Sequence, residues 1–500
     1  MINGNDLRTS PPRWWSTTAM IVGAVVVLVV LVLRVKGVGL WSHDAGGVES
    51  NVIHGIQKLM LGRPLYEDCE KPTYDVIQYA PLYYWIAAAS GKLLAVDPLE
   101  PIAVFKLSRT LSLLFNLGAV LLFFRMLRER GTHRAAAFFL TAVMLVSLTR
   151  HFFSRPDSLY FLCFLLGLRS FLRYLEVDDA GVRRHALIGL LCWSIAGLWA
   201  KQSGVLLPGL AGLQLLLMRR WRDAILLAAG TIALIAGSIT VLAWIHGLEP
   251  LRQNMITGLR NGISTELYRI VFGTPNYLFL AGLHLVGAVY CATGLRSAET
   301  RSRFLGLGIV ASFLFAMITG MKSGSRMNYF IENFAFIYLS IGLVAVEFRS
   351  TAWQRRWPAL VLVAGALFLS LRARELRAQL NWTNLAVSDR SRYDDAAHVA
   401  AFLRENGLED GRYVYIVRRG FLEHFLSGNS ILNQKDIIHY SDRALFDYSD
   451  LFARMKDGRV RFIVSDRPLD TLRLFDRSFT GCEPVAIIDG QHVLLNKASR

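Results

Sequence analysis

Hydrophobic positions in this chain gather into blocks of about 15–23 residues, parted by short Arg-rich polar segments. A helix needs roughly 20 apolar residues to cross the hydrocarbon core of a bilayer. The pattern predicts about eleven spans, at 18–35, 103–124, 135–149, 157–175, 185–200, 204–218, 224–245, 277–295, 304–320, 330–347 and 357–372. Three connecting segments, 36–102, 246–276 and 373–500, are too long to be simple turns. In the first, SNVIHGIQKLML and PLYYWIAAASGKLLA have helical spacing. The second of these pieces is apolar but short, and we read it as interfacial or shallowly re-entrant.

Beyond residue 373 the period changes. DDAAHVAAFLREN reads as an amphipathic helix ending at Gly407, and YVYIV, RVRFIVSD, PVAIID and HVLLN read as strands. Such alternation suggests a small α/β domain. The predicted fold is a polytopic α-helical membrane protein carrying a soluble α/β C-terminal domain. Its parts are an N-terminal segment 1–17, a membrane domain 18–372 with the long first loop 36–102, and the tail 373–500.

Composition agrees, since 53% of the 500 residues are hydrophobic and the mean hydropathy is +0.37. The net charge of +17 changes the picture more. In a soluble protein it would suggest nucleic acid, but here most short-loop Arg sit just beyond apolar blocks, and no basic face exists outside the loops. Every second loop, from Arg125–Arg134 to Arg349–Arg356, is Arg-rich, and the others hold about half as many cations. This asymmetry predicts a cytoplasmic N-terminus and a tail on the opposite side of the cell's inner membrane, with the lipid bilayer as constant partner. Arg34 and Lys36 oppose Arg8 and Arg13, so later loops set the orientation. The first apolar run lacks a clear small-x-small cleavage site and reads as an uncleaved anchor.

Of the five Cys, Cys163, Cys192 and Cys291 fall inside apolar blocks, and none forms a C-x-x-C pair. Cys69 and Cys482 share one predicted side, which leaves open either a disulfide between them or, our preferred reading, two free thiols.

The candidate chemistry collects on that same side. Asp44, beside His43 and five residues before Glu49, follows the first span, where an acid faces both lipid-borne and aqueous substrates. It reads either as a general base or as a solvated loop carboxylate. Tyr79, Tyr83 and Tyr84 offer flat faces to a sugar, or form an interfacial aromatic belt. Arg155 and Asp157 open the fourth span as a phosphate fork with its orienting acid, or as a structural pair. Lys201 sits between two apolar blocks, holding an anion or snorkelling. Lys322 and Arg326 precede Asn328, Tyr329 and Glu332, which share helical spacing. The plain alternative there is the capping of a span.

The first-loop Asp, G-x-P-L-Y, Y-x-P-L-Y-Y-W, R-P-D, K-Q after a span and N-Y-F-I-E, in this order over roughly residues 15–350, resemble the GT-C superfamily of membrane glycosyltransferases. More narrowly, the chain resembles bacterial polyprenyl-phosphate-sugar-dependent transferases related to protein O-mannosyltransferases and the lipid A aminoarabinose transferase. The resemblance implies an inverting transfer from a polyprenyl-phosphate-linked sugar to an envelope glycan, lipid or protein, with no cofactor and no catalytic metal. It makes Asp44 the base and Asp157 the second acid. Many relatives have Asp-Glu where this chain has Asp44-Ala45, so Glu49 or Asp157 would supply the missing carboxylate. It gives Arg155, Lys201, Lys322 and Arg326 to the donor phosphate. Lys71-Pro72 lies too early for the Lys-Pro of some relatives and receives no role. A flippase would instead place ionisable groups near the midplane and often show internal repeats, and no repeat is visible. A glycan polymerase or ligase using lipid diphosphates shares the topology but fits the early Asp loop less well.

Overall fold

The computed structural model describes residues 13–42, 44, 49–148, 153–260, 262–265, 268–269, 287, 299–322, 327–347, 390–417, 420–431, 434–466 and 481–499. Its first helix, α1 (Arg13–Val38), is a run of Val and Leu. In water β-branched residues favour strands, but in lipid only a helix satisfies every backbone group within one segment. The long first loop follows, with α2 (Glu49–Met60) and α3 (Leu82–Leu93). Then come α4 (Pro101–Glu129), α5 (Arg134–Ser147), α6 (Asp157–Glu176), α7 (Ala180–Ala200), α8 (Leu206–Leu217) and α9 (Trp221–His246). A short α10 (Leu248–Met255) precedes α11 (Thr300–Thr319) and α12 (Ile331–Glu347).

Local chemistry sets several boundaries. Pro101 starts α4 at a position whose N–H would have no helical partner. Asp179 caps α7 by accepting the N–H of Val182 at 2.8 Å. Gly247, with φ +86°, ends α9.

Nine of the eleven sequence spans fall on these helices; 357–372, and 277–295 apart from Gly287, lie outside the described residues. Among the described residues, five helices (α1, α4, α6, α9 and α11) are long and apolar enough to cross a membrane. They differ in surroundings. The apolar stretch of α6 is 67% buried and that of α9 only 11%, with Trp244 at 87% exposure. Thus α6 lies inside the bundle, and α9 shows lipid an apolar side.

The tail is a mixed α/β layer. A helix at 390–405 leads into five strands, β1 (Tyr413–Ile416), β2 (Ser430–Ile431), β3 (Val460–Ser465), β4 (Cys482–Ile488) and β5 (Gln491–Asn496). Their order is β2-β1-β3-β5-β4; the first three are parallel, and β5 and β4 join antiparallel. The two-residue β2 is too short for the alternation that marked the others. Cys69 and Cys482 are buried free thiols in one apolar cluster. Aromatic contacts seat the tail on the first loop and α4. Tyr393 lies 4.9 Å from Trp41, and Phe421 lies 6.1 Å from Phe105.

Candidate active site

Two buried charge centres lie at the same end of the helices. The first begins at Asp44, whose Oδ1 accepts the backbone N–H of Glu49 at 2.9 Å, the first residue of α2. An acid in that place satisfies an otherwise orphaned amide and meets the positive end of the helix dipole. Glu49 is fully buried. Its carboxylate accepts Nε and Nη2 of Arg109 at 3.0 and 2.9 Å, and the N–H of Ser154 at 2.8 Å. Arg109 also donates to the carbonyls of Leu40 at 2.7 Å and Ser42 at 2.8 Å. One buried guanidinium therefore grips the chain on both sides of the Asp44 loop. With Glu49 occupied by three donors, Asp44 is the better placed of the two to receive a proton.

The second centre joins three helices. Asp157 heads α6 and Lys201 ends α7, and Lys201 Nζ donates to Asp157 Oδ1 at 2.7 Å. Asn328, just before α12, donates to the same oxygen at 3.1 Å. Lys201 lies over the rings of Tyr329 at 4.9 Å and Tyr160 at 5.9 Å, where the ring quadrupole attracts a cation. A tight hairpin aims it inward: Gly204 N–H returns to Lys201 O at 3.0 Å. A Cβ on Gly204 would come within 2.6 Å of Leu198 Cα, so the hairpin needs glycine there. Buried Glu332 completes the group.

Lys322, just beyond α11, reaches Gln78 Oε1 at 3.5 Å. Burial, then the nearby Lys201 charge, pushes its ammonium down to about 8. Gln78 also accepts through its carbonyl from Gln202 at 2.7 Å, which ties the first loop to the Lys201 hairpin. The adjoining Tyr79 feels the charges of Asp157, Arg155 and Lys201. Arg155 is buried, with its backbone N–H 3.5 Å from Ser112 Oγ on α4.

The structure thus groups Asp157, Lys201, Asn328, Tyr329 and Glu332, with Tyr79, Arg155 and Lys322 beside them, and sets Asp44 with Glu49. Tyr83 and Tyr84 are in the core instead. The Tyr83 hydroxyl lies 2.7 Å from Ser112 Oγ, and Tyr84 packs on Gly55. His43 and Arg326 lie outside the described residues. Sequence reasoning passed over Arg109, although an Arg inside the apolar run 103–124 was itself a signal.

By sequence, no family model and no curated protein matches the chain. By structure, it is similar to ArnT from Cupriavidus metallidurans bound to undecaprenyl phosphate. The TM-score is 0.62 at 14% identity, covering 95% of this chain and 97% of that one. The apo form of that protein gives a TM-score of 0.61, again at 14% identity, over 95% and 98% of the chains. The oligosaccharyltransferase of Archaeoglobus fulgidus, in complex with Zn and sulfate, gives 0.54 at 13% identity, over 88% of this chain and 68% of that one. At these identities the likeness is one of fold. The likeness to the Cupriavidus protein spans nearly the whole chain, tail included.

Proposed function

We propose that this protein is an inner-membrane glycosyltransferase that takes its sugar from a polyprenyl-phosphate donor on the non-cytoplasmic side. The observation that carries this is the pair of cations, buried Lys201 and half-buried Lys322, grouped at Asp157 and Gln78. It occurs in a fold shared with a protein crystallised with undecaprenyl phosphate. Three cations, Lys201, Lys322 and Arg155, grouped with two carboxylates, Asp157 and Glu332, leave positive charge for an anionic headgroup.

In this reading the lipid tail packs against apolar helix surface, and the phosphate meets Lys201, Lys322 and Arg155. The tyrosine rings of residues 79 and 329 flank the sugar. Asp44 takes the proton of an acceptor hydroxyl as its oxygen attacks the anomeric carbon. The bond from that carbon to the phosphate oxygen breaks, and its electrons leave with polyprenyl phosphate, which the cations stabilise. The configuration inverts. No separate acid is needed, because the leaving phosphate is already an anion. The acceptor is an envelope glycan, lipid or protein.

Asp44→Asn in membranes supplied with radiolabelled polyprenyl-phosphate sugar tests the base. Transfer should fall by about 100-fold or more, the usual scale of general-base loss, while undecaprenyl phosphate binding stays within about twofold. Unchanged transfer would remove Asp44 from the mechanism. Labelling of cysteines introduced at 44 and 201 should report one shared, non-cytoplasmic side.

A further inference from the structure

Gln78 of the first loop touches four other parts of the chain. Its backbone carbonyl accepts from Gln202 of the Lys201 hairpin at 2.7 Å. Its side-chain Nε2 donates to the Gly258 carbonyl in the segment 246–276 at 2.9 Å, and to the Tyr440 hydroxyl of the tail at 3.0 Å. Its Oε1 faces Lys322 Nζ at 3.5 Å.

These neighbours fix which way the amide points. A carbonyl can accept but not donate, and an ammonium can donate but not accept. Turning the amide over would set its oxygen against the Gly258 oxygen and its NH2 against the Lys322 ammonium, and both contacts would be lost. The oxygen therefore faces the lysine. The backbone on either side of the contact is also held. Ile77 N–H donates to Asn254 Oδ1 at 2.7 Å. Gly258 lies so close to Val76 that a Cβ would overlap it, so glycine is what lets this segment approach. The same segment braces the lysine. Ile263 forms an antiparallel bridge with Lys322, and Ser264 N–H donates to Met321 O at 2.7 Å.

The two lysines thus meet different acceptors. Lys201 is bonded to a carboxylate, whereas Gln78 offers Lys322 the oxygen of a neutral amide. A carboxylate cancels much of an ammonium's field, and an amide leaves the net charge in place. At 3.5 Å the amide contact is long. It aims the ammonium and yields readily to a phosphate oxygen, which is charged and the stronger acceptor. The charged and titratable groups about this contact are Lys201, Tyr79 next to Gln78, Tyr440 behind the amide, and Arg443 of the tail, whose guanidinium packs on Gly262. Burial, then the charge of Lys201, lowers the pKa of Lys322.

We propose that Gln78 is a positioning residue that aims the Lys322 ammonium at the donor phosphate, and that Tyr440 brings the tail into donor binding by holding the Gln78 amide. This rests on the reading of Lys322 as a donor cation.

The full-length protein in nanodiscs is compared with Gln78→Glu, Gln78→Leu and Tyr440→Phe. Two quantities are read. One is the pKa of the Lys322 amine, from the pH dependence of its trace acetylation followed by mass spectrometry. The other is affinity for undecaprenyl phosphate between pH 7 and 9.5. Gln78→Glu sets a carboxylate beside the lysine. Its pKa should rise by about one unit or more, and affinity at pH 7 should fall by about 10-fold, because the new anion competes with the phosphate. Gln78→Leu removes the acceptor. The pKa should fall by about half a unit and affinity by about threefold. Tyr440→Phe keeps the ring and frees the amide, so both quantities should move as in Gln78→Leu but less, with affinity down by about twofold. Gln78 is half-buried, and an unchanged melting temperature checks that each variant folds. A residue that merely braced the loop would weaken binding in both Gln78 variants and leave the amine pKa where it was. That result, or a pKa that moves the same way in both, would overturn the proposal. Unchanged affinity in Tyr440→Phe would take the tail out of donor binding. If the pKa moves in opposite directions while undecaprenyl phosphate binding ignores both Gln78 variants, the donor reading of Lys322 fails and the hold of Gln78 on the lysine stands.

Discussion

The two charge centres flanking the Asp44 loop are built from similar parts and do different work. Around Glu49 and Arg109 the charges match one to one, and the guanidinium is spent on a carboxylate and two carbonyls. Around Asp157 and Glu332 there are three cations, Lys201, Lys322 and Arg155, two carboxylates and a neutral amide. A saturated pair has nothing left to offer a ligand and can only hold shape. A centre with surplus cation is poised for an anion. Burial alone does not separate these roles, since Glu49, Arg109 and Asp157 are all within 1% of fully buried. The balance of donors against acceptors does.

The largest effect should come from breaking the saturated pair. Arg109→Gln leaves Glu49 charged and poorly partnered, and removing one member of a buried pair costs about 3–5 kcal/mol. Thermal unfolding should show that loss, and transfer should collapse because Leu40, Ser42 and Glu49 no longer fix the Asp44 loop. The double variant Glu49→Gln with Arg109→Met removes both charges and should recover most of the stability. It should not recover transfer. If it did, the pair would not be what positions the base. Lys cannot reproduce a fork that serves Glu49 and two carbonyls together, so Arg109→Lys should fall between.

Next in size is Lys201→Met. Asp157 keeps the Asn328 amide, so the fold loses less than in Arg109→Gln, about 2–3 kcal/mol. Undecaprenyl phosphate affinity should fall by about 30-fold or more, because a charge-assisted bond is lost. Asp157→Asn keeps the shape and removes the aspartate's claim on Lys201, so phosphate binding should hold or strengthen while transfer suffers. Affinity that moves the same way in both variants would mean that Lys201 is simply structural.

The helices were legible because span length and Arg spacing are periodic properties of the chain. Four of the five strands were legible for the same reason, and two-residue β2 was not. Residue types at the outer mouths pointed to the second charge centre, yet nothing in the sequence shows that Lys201, Asp157 and Asn328 meet on one oxygen. Such contacts cross 44 and 171 positions. Arg109 was overlooked for a related reason. Alone it reads as an oddity within an apolar run, and its meaning appears only with the Leu40–Ser42 backbone folded against it. Tyr83 and Tyr84 show the converse. An aromatic cluster in a first loop suggests a sugar platform, but α4 presents Ser108 and Ser112 to one hydroxyl, and Gly55 leaves room for the other ring.

The smallest effect separates the two lysines by proton. Lys201 faces Asp157, whereas among the described residues Lys322 has Gln78 within reach, and it is held near 8 by burial and by Lys201. Folding depresses its pKa, so the folded state disfavours its charge; that penalty is present below about pH 8 and fades as pH rises toward the unfolded value. A bound phosphate reverses the preference and draws a proton back. Affinity for undecaprenyl phosphate should therefore be flat below about pH 7 and decline from about pH 8 to 9.5, by up to tenfold per unit. Over that range a phosphate monoester is already past its second ionisation near pH 6, so the ligand adds no slope of its own. In Lys322→Met the decline should vanish, leaving about 10-fold weaker binding at neutral pH. A decline that survived the substitution would assign the titration to another group and leave Lys201 as the cation that holds the donor.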